Sequence, residues 1–237
     1  MGGLTDELPK PMLPVDGRPI LEHIITGLCT SGVREFCIIT GWRAEAIEGH
    51  FGDGADFGVS ISYVRQEVQD GTGKAPELAR EFVGANEFLL TYGDILVKPE
   101  TYAQMLARWG EGEFSGLVTV TGSEDVTKGG LFFFDEEFCL NHLIEKPSAE
   151  QVDELRSEGW LKAGAPAWYN AGIYIFQPSL FEHTARLQKS SRGEYELTDA
   201  LAAMLSDGEA VAGLEIAGRW VDVRDPDVLR SLQDGAE

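Results

Sequence analysis

Two aspartates that each follow an apolar stretch are the residues of this sequence best suited to chemistry. Asp94 comes after the strand-like stretch LLTYG, and Asp222 comes after Trp220 and Val221 in GRWVDVRDP. Because ligands of open parallel sheets bind at the carboxyl ends of strands, a carboxylate there is well placed to hold Mg²⁺ beside a phosphate. The hypothesis requires the fold to bring both aspartates to one ion. The alternative is that Asp94 only begins a turn or caps a helix.

The segment QEVQDGTGKAPE offers a second kind of site. It places Thr72 and Lys74 among glycines at a predicted strand-to-helix turn. Backbone N–H groups at such turns bind phosphate, so the segment is a candidate cradle for a nucleotide. It is not a Walker A loop, because Val68 and Ala75 occupy positions where that motif has glycine and a hydroxyl residue.

Other chemistry-bearing residues give weaker signals. Glu145 and Lys146 stand side by side in LIEKP at a predicted strand end. The alternative for them is an exposed charged pair, which is the usual state of adjacent Glu and Lys. The histidines show neither metal spacing nor a triad context, and we interpret them as structural or surface residues: His23, His50, His142 and His183. The tryptophans are expected in the core and at its rim.

The spacing of apolar residues predicts the elements that must position these groups. Buried strands are predicted at residues 36–40, 60–64, 88–92 and 115–121, alternating with amphipathic helices after Pro19, Gly41, Pro76 and Pro99. This alternation is typical of a mostly parallel sheet covered by helices. Past Gly130 the pattern becomes α+β, with strands in LFFF, FCLNHLIE and WYNAGIYIF, a helix at 149–158 and two final helices. Without repeats or long linkers, the chain is predicted to form one domain, 1–237.

Composition excludes several classes of function. The chain has 237 residues, and its 19 Lys+Arg against 40 Asp+Glu give a formal net charge of −21. Such a field repels phosphate backbones and anionic membranes, so neither nucleic acid nor a membrane is an expected partner. Three widely spaced cysteines indicate neither a zinc site nor a disulfide framework. With no signal peptide or long apolar run, a cytoplasmic protein is predicted.

Eight segments, taken in order, resemble the sugar-1-phosphate nucleotidylyltransferases, also called NDP-sugar pyrophosphorylases. They are LPKPMLPVDGRPILEHII, GWRAEAIEGHF, QEVQDGTGKA, YGDILV, GGLFFFDEEFCLNHLIEKP, NAGIYIF, YELTDAL and WVDVRDPDVL, and they extend from Leu8 to Leu229. The resemblance implies an α/β fold of the nucleotide-diphospho-sugar transferase type. This is a three-layer α/β/α sandwich with a mixed, mainly parallel sheet.

The resemblance also implies a role for each matching position. Catalytic roles go to Lys10, which would hold substrate phosphate, and to Lys146, which would neutralise the phosphate of the sugar. Asp94 and Asp222 would bind the cofactor, Mg²⁺. The remaining positions are nucleotide-binding Gln66, Gly71 and Thr72 and sugar-phosphate-binding Gly130, Glu145, Lys146, Asn170, Gly172, Glu196 and Thr198.

The implied reaction joins two partners, a nucleoside triphosphate and a sugar 1-phosphate. An oxygen of the sugar phosphate attacks the α-phosphorus, and pyrophosphate leaves. Such chemistry requires in-line positioning of two anions and positive charge around them. No general base is expected, because the attacking oxygen is already ionised near neutral pH. The nucleobase, the sugar and the oligomeric state are left open, with a homo-oligomer among the options.

Two departures from the family keep rival functions open. Family members begin with a buried strand and a Gly-x-Gly-Thr-Arg loop, and Met1 stands where that loop should have ended. The chain is therefore expected to be N-terminally truncated relative to the family, and very weakly active as it stands. Arg224 and Asp225 replace the usual Gly-Thr after the metal aspartate. The rivals are a non-catalytic nucleotide-binding or regulatory relative, and a cytidylyltransferase acting on a phosphate such as phosphocholine.

Overall fold

The computed structural model describes residues 8–162, 164–224 and 226–233. Its helices are α1 Ile20–Thr30, α2 Ala44–Phe51, α3 Arg80–Val83, α4 Glu100–Trp109, α5 Ala149–Ser157, α6 Leu180–Ala185, α7 Leu197–Ser206 and α8 Pro226–Gln233. Its strands are β1 Pro14–Val15, β2 Arg18–Pro19, β3 Glu35–Thr40, β4 Ser60–Arg65, β5 Phe88–Thr91, β6 Ile95–Val97, β7 Gly116–Thr121, β8 Gly130–Phe134, β9 Leu140–Glu145, β10 Trp168–Phe176, β11 Val211–Glu215 and β12 Trp220–Asp222. None of these helices has the length and apolar character needed to cross a bilayer.

The first two helices form where apolar spacing predicts them. Helix α1 starts directly after Pro19, whose fixed backbone angle suits a helix entry, and it buries Ile20, Ile24 and Leu28 along one stripe. In α2, Ala44, Ile47 and Phe51 are buried in the same way. Both helices therefore use one apolar face to cover neighbouring strands.

Strand β10 organises the largest sheet. Its neighbours are β7 on one side and β5 and β8 on the other, and all three pair with it in the antiparallel sense. Strand β11 extends the sheet beyond β7 in parallel, and β9 extends it beyond β8. Separate two-stranded sheets join β3 to β4, β6 to β12 and β1 to β2. The layered, mixed-sheet α/β fold is confirmed.

One detail of the predicted fold is wrong: pairing in the sheets is not mainly parallel. Among the described residues, only β3–β4 and β7–β11 pair in parallel. Three of the antiparallel pairs arise from the placement of β10, and the others are β1–β2, β6–β12 and β8–β9. Strands β5 and β7 run in one direction, as the alternating pattern predicts, but β10 lies between them and runs the opposite way.

Burial varies strongly from strand to strand. Every residue of β7 is buried, whereas β5 and most of β3 are only half-buried. Within the described residues, β5 pairs only with β10, and β3 pairs only with β4. The strand predicted at 88–92 is therefore present as β5, but the prediction that it is buried is wrong. The amphipathic helix predicted after Pro76 is also wrong in part, because Leu78 and Phe82, which have the helical spacing of its apolar face, are exposed.

Candidate active site

The two predicted metal ligands meet because β6 and β12 pair. Asp222 ends β12 and lies opposite Ile95, the residue after Asp94, in the register of this antiparallel pair. The amide of Val223 donates a hydrogen bond to the carbonyl of Asp94 at 3.0 Å. Backbone pairing thus brings together two carboxylates that are far apart in sequence, at the end of a short ladder.

Lys10 reaches the same place from the N-terminal segment. Its Nζ lies 2.5 Å from Oδ2 of Asp94 and 4.0 Å from Oδ1 of Asp222. Gly93 permits the approach, since a Cβ there would lie 3.0 Å from Cγ of Pro11. Burial and the nearby Asp94 raise the pKa of Asp222, while Arg224 and Lys10 oppose the increase. These two acidic groups are therefore close enough to interact electrostatically.

This donor set fits a divalent ion held partly by substrate. No cluster of three or more His, Cys, Asp or Glu side chains that could enclose a metal occurs within residues 8–162, 164–224 and 226–233. Mg²⁺, however, is usually bound by one or two carboxylates together with water and substrate phosphate. Asp94 and Asp222 supply those carboxylates. A metal bound there would neutralise phosphate charge next to Lys10.

The predicted nucleotide-binding segment, residues 70–73, is joined to the start of α7 by several backbone hydrogen bonds. The amide of Gly73 donates to the carbonyl of Tyr195 at 2.8 Å, and the amide of Tyr195 donates to the carbonyl of Asp70 at 2.8 Å. Thr72 Oγ1 accepts from the amide of Leu197 at 3.2 Å. Gly71 packs against the main chain of Tyr195 with φ of +124°. Residues 70–73 are thus held in a defined conformation.

Two other residues of this region take different positions. Gln66 continues β4, and its amide donates to the carbonyl of Thr40 at 2.7 Å. The side chain of Lys74 does not face a cradle, which corrects the sequence-based prediction. Its Nζ donates to the carbonyl of Thr184 at 2.5 Å and lies 5.3 Å from the ring centre of Tyr195. Carbonyl groups at the C-terminus of α6 attract the ammonium group, so Lys74 stabilises the position of that helix.

The predicted sugar-binding residues cluster around Glu145. Gly130 lies directly opposite Glu145 in the β8–β9 ladder, and a Cβ on Gly130 would lie 3.2 Å from Cβ of Asn170. Thr198 Oγ1 donates to Glu145 Oε2 at 3.0 Å. The amide of Gly172 donates to Asn170 Oδ1 at 3.2 Å. Strands β8, β9 and β10 and helix α7 therefore present one continuous set of polar groups.

The electrostatics of this cluster are dominated by carboxylates. Burial raises the pKa of Glu145, Glu196 adds to the increase, and the hydrogen bond from Thr198 opposes it. Glu196 is itself buried, and its Oε1 accepts a hydrogen bond from Arg192 at 2.6 Å. A cluster of carboxylate acceptors of this kind suits a ligand with several hydroxyl donors.

Lys146 occupies a strained backbone position at the edge of the same cluster. Its φ is +45°, in the left-handed region that non-glycine residues rarely adopt. The amide of Lys146 donates to the carbonyl of Gly129 at 2.9 Å, which holds the strained turn in place. Such strain is typical of functional positions. Its side chain is exposed, and within the described parts of the chain its Nζ forms no ion pair.

The sequence profile of the nucleotidyl transferase family matches residues 1–236. The chain belongs to this family. It is similar to the low-salt glycan biosynthesis nucleotidyltransferase Agl11 of Haloferax volcanii, with 32% identity over 97% of this chain and 61% of that protein. It is also 27% identical to a glucose-1-phosphate thymidylyltransferase of Neisseria meningitidis, over 98% of this chain and 76% of the relative. The chain spans about half the length of several other curated relatives.

A solved structure supports the fold of this nucleotidyl transferase family member. The crystal structure of a UDP-glucose pyrophosphorylase in complex with UDP-glucose superposes with a TM-score of 0.81. The comparison covers 96% of this chain and 89% of the other at 21% identity. This likeness shows the shared fold.

Sequence reasoning missed two residues of the site in this nucleotidyl transferase family member. Tyr92 packs edge-on against Tyr174, with ring centres 6.1 Å apart. Its hydroxyl interacts electrostatically with Thr72 and Tyr174, so it lies between the predicted nucleotide-binding segment and the predicted sugar-binding residues, and burial raises its pKa to about 12. Arg192 lies between Glu196 and Glu145, and its Nη2 is 3.5 Å from Glu145 Oε1. Tyr92 stands two residues before Asp94, and Arg192 four residues before Glu196. Proximity to acidic site residues was the available signal.

Proposed function

We propose that this chain transfers a nucleotidyl group from a nucleoside triphosphate to a sugar 1-phosphate, releasing pyrophosphate. The convergence of Lys10, Asp94 and Asp222 from three separate parts of the chain carries the proposal. Two carboxylates and one ammonium group within 4.0 Å form a site suited to metal-bound phosphate in an otherwise strongly acidic protein. Family membership and the names of the relatives support the same reaction class.

The residues of the site have complementary roles in this proposal. Lys10 binds substrate phosphate, and Lys146 neutralises the phosphate of the sugar. Glu145 accepts hydrogen bonds from sugar hydroxyls, with its orientation maintained by Thr198. The chain thereby positions two mutually repelling anions in line, which is the main requirement of phosphoryl chemistry. Mg²⁺ held by Asp94 and Asp222 would supply positive charge at the transferred group.

The substrate-binding segments extend from this centre in two directions. Gln66, Gly71 and Thr72 bind the nucleotide, and Gly71 and Thr72 are held by the backbone of residues 195–197. The remaining sugar-phosphate residues of the proposal are Gly130, Asn170, Gly172, Glu196 and Thr198. Tyr92 connects the two groups through Thr72 and Tyr174. We prefer a sugar 1-phosphate over phosphocholine as the substrate, because the cluster around Glu145 offers hydrogen-bond acceptors for hydroxyl groups.

The same proposal includes a single nucleotidyltransferase domain over residues 1–237 and a cytoplasmic location. Three free cysteines are compatible with a reducing compartment. The strong negative charge makes nucleic acid and anionic membranes unfavourable partners.

The test is pyrophosphate release from the purified chain with Mg²⁺, each nucleoside triphosphate and a panel of sugar 1-phosphates plus phosphocholine. We expect release with at least one sugar 1-phosphate, and a loss of about a hundredfold or more in rate for Lys10→Ala and Asp94→Asn. Lys128→Ala and Asp153→Asn are matched controls, because both residues are exposed and pair locally with Asp125 and Arg156. They should retain the original rate.

Each other outcome identifies a rival. Ligand binding by calorimetry without pyrophosphate release from any pair would favour a non-catalytic relative. Release only with phosphocholine and cytidine triphosphate would favour the second rival. Equal activity of Asp94→Asn and Asp153→Asn would refute the assignment of the metal site.

A further inference from the structure

Arg224 lies directly against the predicted metal ligand Asp222. Its Nε is 3.2 Å from Asp222 Oδ2, and its Nη2 donates to Glu124 Oε2 at 3.0 Å. The guanidinium also lies 5.9 Å from the ring centre of Trp220 and 6.0 Å from that of Tyr169. About a quarter of the side chain is exposed, so the ion pairs are partly shielded from water.

Each carboxylate of the predicted metal site is therefore already next to a cation of the chain itself. Lys10 neutralises Asp94, and Arg224 neutralises Asp222 from the side opposite Lys10. We infer that Arg224 is an internal counter-ion of Asp222 that competes with the divalent ion and lowers the affinity of the free protein for metal. The inference rests on the proposed function, because it assumes that Asp94 and Asp222 bind the metal.

A role in orienting Asp222 would have the opposite effect on affinity. Groups that hydrogen-bond to a metal ligand often fix its orientation, and their removal weakens metal binding. Two features favour competition instead. The guanidinium contacts the ligand carboxylate itself with a full positive charge, which repels a nearby divalent ion. The β6–β12 ladder already fixes the backbone of Asp222, so its position depends little on Arg224.

Metal affinity, measured without any substrate, distinguishes the two roles. Mn²⁺ is titrated into the apo chain, and the free ion is followed by electron paramagnetic resonance. Removal of one unit charge beside a partly exposed site should make Arg224→Gln bind Mn²⁺ about tenfold more tightly. Arg224→Lys keeps the charge but loses the planar fork, so its affinity should stay within about threefold of the original.

A second variant tests the inference with the opposite sign. Glu124→Gln removes the other partner of Arg224, which leaves the guanidinium freer to pair with Asp222, and it also removes a negative charge near the site. We expect weaker Mn²⁺ binding, by about threefold or more. This variant keeps the test valid if Arg224→Gln fails to fold, as judged by circular dichroism.

The outcomes separate this inference from the proposed function. Unchanged or weaker binding by a folded Arg224→Gln would overturn the competition role, while the metal site would stand if Asp94→Asn loses binding. Stronger binding by Glu124→Gln would overturn it too. If Asp94→Asn binds Mn²⁺ as the original chain does, both the metal site and the inference are wrong. If neither the original chain nor Arg224→Gln binds Mn²⁺, the inference is wrong.

Discussion

Gly71 shows how a single residue sets the conformation of the predicted nucleotide-binding segment, residues 70–73. Its φ of +124° is accessible mainly to glycine, and any Cβ would overlap the main chain of Tyr195. The hydrogen bonds of Asp70 and Gly73 to Tyr195 depend on this close approach. Only a residue without a side chain allows the nucleotide-binding segment to lie against the start of α7.

Replacement of Gly71 should therefore disturb both stability and nucleotide binding. For Gly71→Ala we expect a loss of about 2–4 kcal/mol in the free energy of unfolding, because backbone strain adds to a main-chain overlap. Urea unfolding measures this loss, and calorimetry should show at least tenfold weaker nucleotide binding, roughly the effect of one lost hydrogen-bonding site.

Gly58→Ala is the matched control for this prediction. Gly58 has a φ of +69°, and an added Cβ there would meet nothing within 4 Å. Gly58→Ala therefore introduces backbone strain without a steric overlap. Its free energy of unfolding should fall by about 1 kcal/mol, and nucleotide binding should be unchanged. Equal losses in the two variants would mean that contact with Tyr195 is unimportant.

At the scale of elements, α6 is held by a hydrogen bond to the loop that leads into β11. His183 of α6 is buried, and its Nε2 donates to Glu209 Oε1 at 2.5 Å. Ser179 Oγ donates to the other oxygen at 3.2 Å. Burial raises the pKa of Glu209, but hydrogen bonds from His183, Ser115 and Ser179 more than offset this, so the pKa lies below its usual 4.5.

The lowered pKa of Glu209 predicts how this contact depends on pH. A carboxyl whose pKa is lower in the folded state stabilises the fold above its unfolded pKa, and that contribution is lost as the pH falls. The stability advantage of the original chain over Glu209→Gln, measured by urea unfolding, should be full near neutral pH and shrink as the pH falls below 4.5. Glu182→Gln, at an exposed position of α6, should show no such trend. An advantage that grows on acidification would contradict this interpretation.

Strands also differ in how well their edges are protected. Strand β7 is buried and paired on both edges, with β10 and with β11, whereas the described residues pair β3 and β5 on one edge each. Amides of β7 should exchange with deuterium at least about a hundredfold more slowly than the amides of β3 and β5 that lie on the unpaired edge of each strand. The reason is that exchange requires local opening of the structure. Mass spectrometry of exchanged peptides tests this expectation. Equally slow exchange in all three strands would show that a further element covers those edges.

At the scale of the whole molecule, the dominant property is the net charge of −21. Repulsion among like charges destabilises a compact state. Salt screens this repulsion, because the Debye length falls from about 10 Å at 0.1 M to about 3 Å at 1 M. The local cations of the site, Lys10 and Arg224, lie within this negative field. Phosphates of the proposed substrates would therefore be attracted by a few nearby groups, while the rest of the surface would repel them.

Salt should consequently stabilise the chain. An increase in KCl from about 0.1 M to about 1 M is expected to raise Tm by at least about 4 °C, equivalent to roughly 1 kcal/mol or more. Differential scanning calorimetry measures the change. K₂SO₄ at equal ionic strength is the control, because screening predicts a similar gain, whereas exclusion of sulfate from the surface predicts a much larger one. A Tm that is independent of KCl would show that the repulsion is already balanced locally.

Much of the fold follows from local patterns. Helices α1 and α2 lie where apolar residues recur at helical spacing, and β10 covers the whole predicted stretch WYNAGIYIF. The helix predicted at 149–158 is observed as α5, which begins with a capping box at Ser148. Contacts between near neighbours determine these elements, so a short window of sequence contains the necessary information.

Residue types and family motifs also identified most candidate site residues before their positions were known. What the sequence alone determined about this protein is thus its elements, its acidic character and a set of chemically apt residues. Burial and pairing of particular strands could not be read in the same way. Leu78 and Phe82 have helical spacing and are nevertheless exposed.

Only the tertiary structure decided which of these residues meet. The pairing of β6 with β12 brings Asp94 to Asp222, β10 runs antiparallel to all three of its neighbours, and the close approach of 70–73 to 195–197 brings Thr72 to Leu197. The physical reason is that local spacing is set by the geometry of one helix or strand, whereas the meeting of distant residues depends on sheet register and packing across the whole chain.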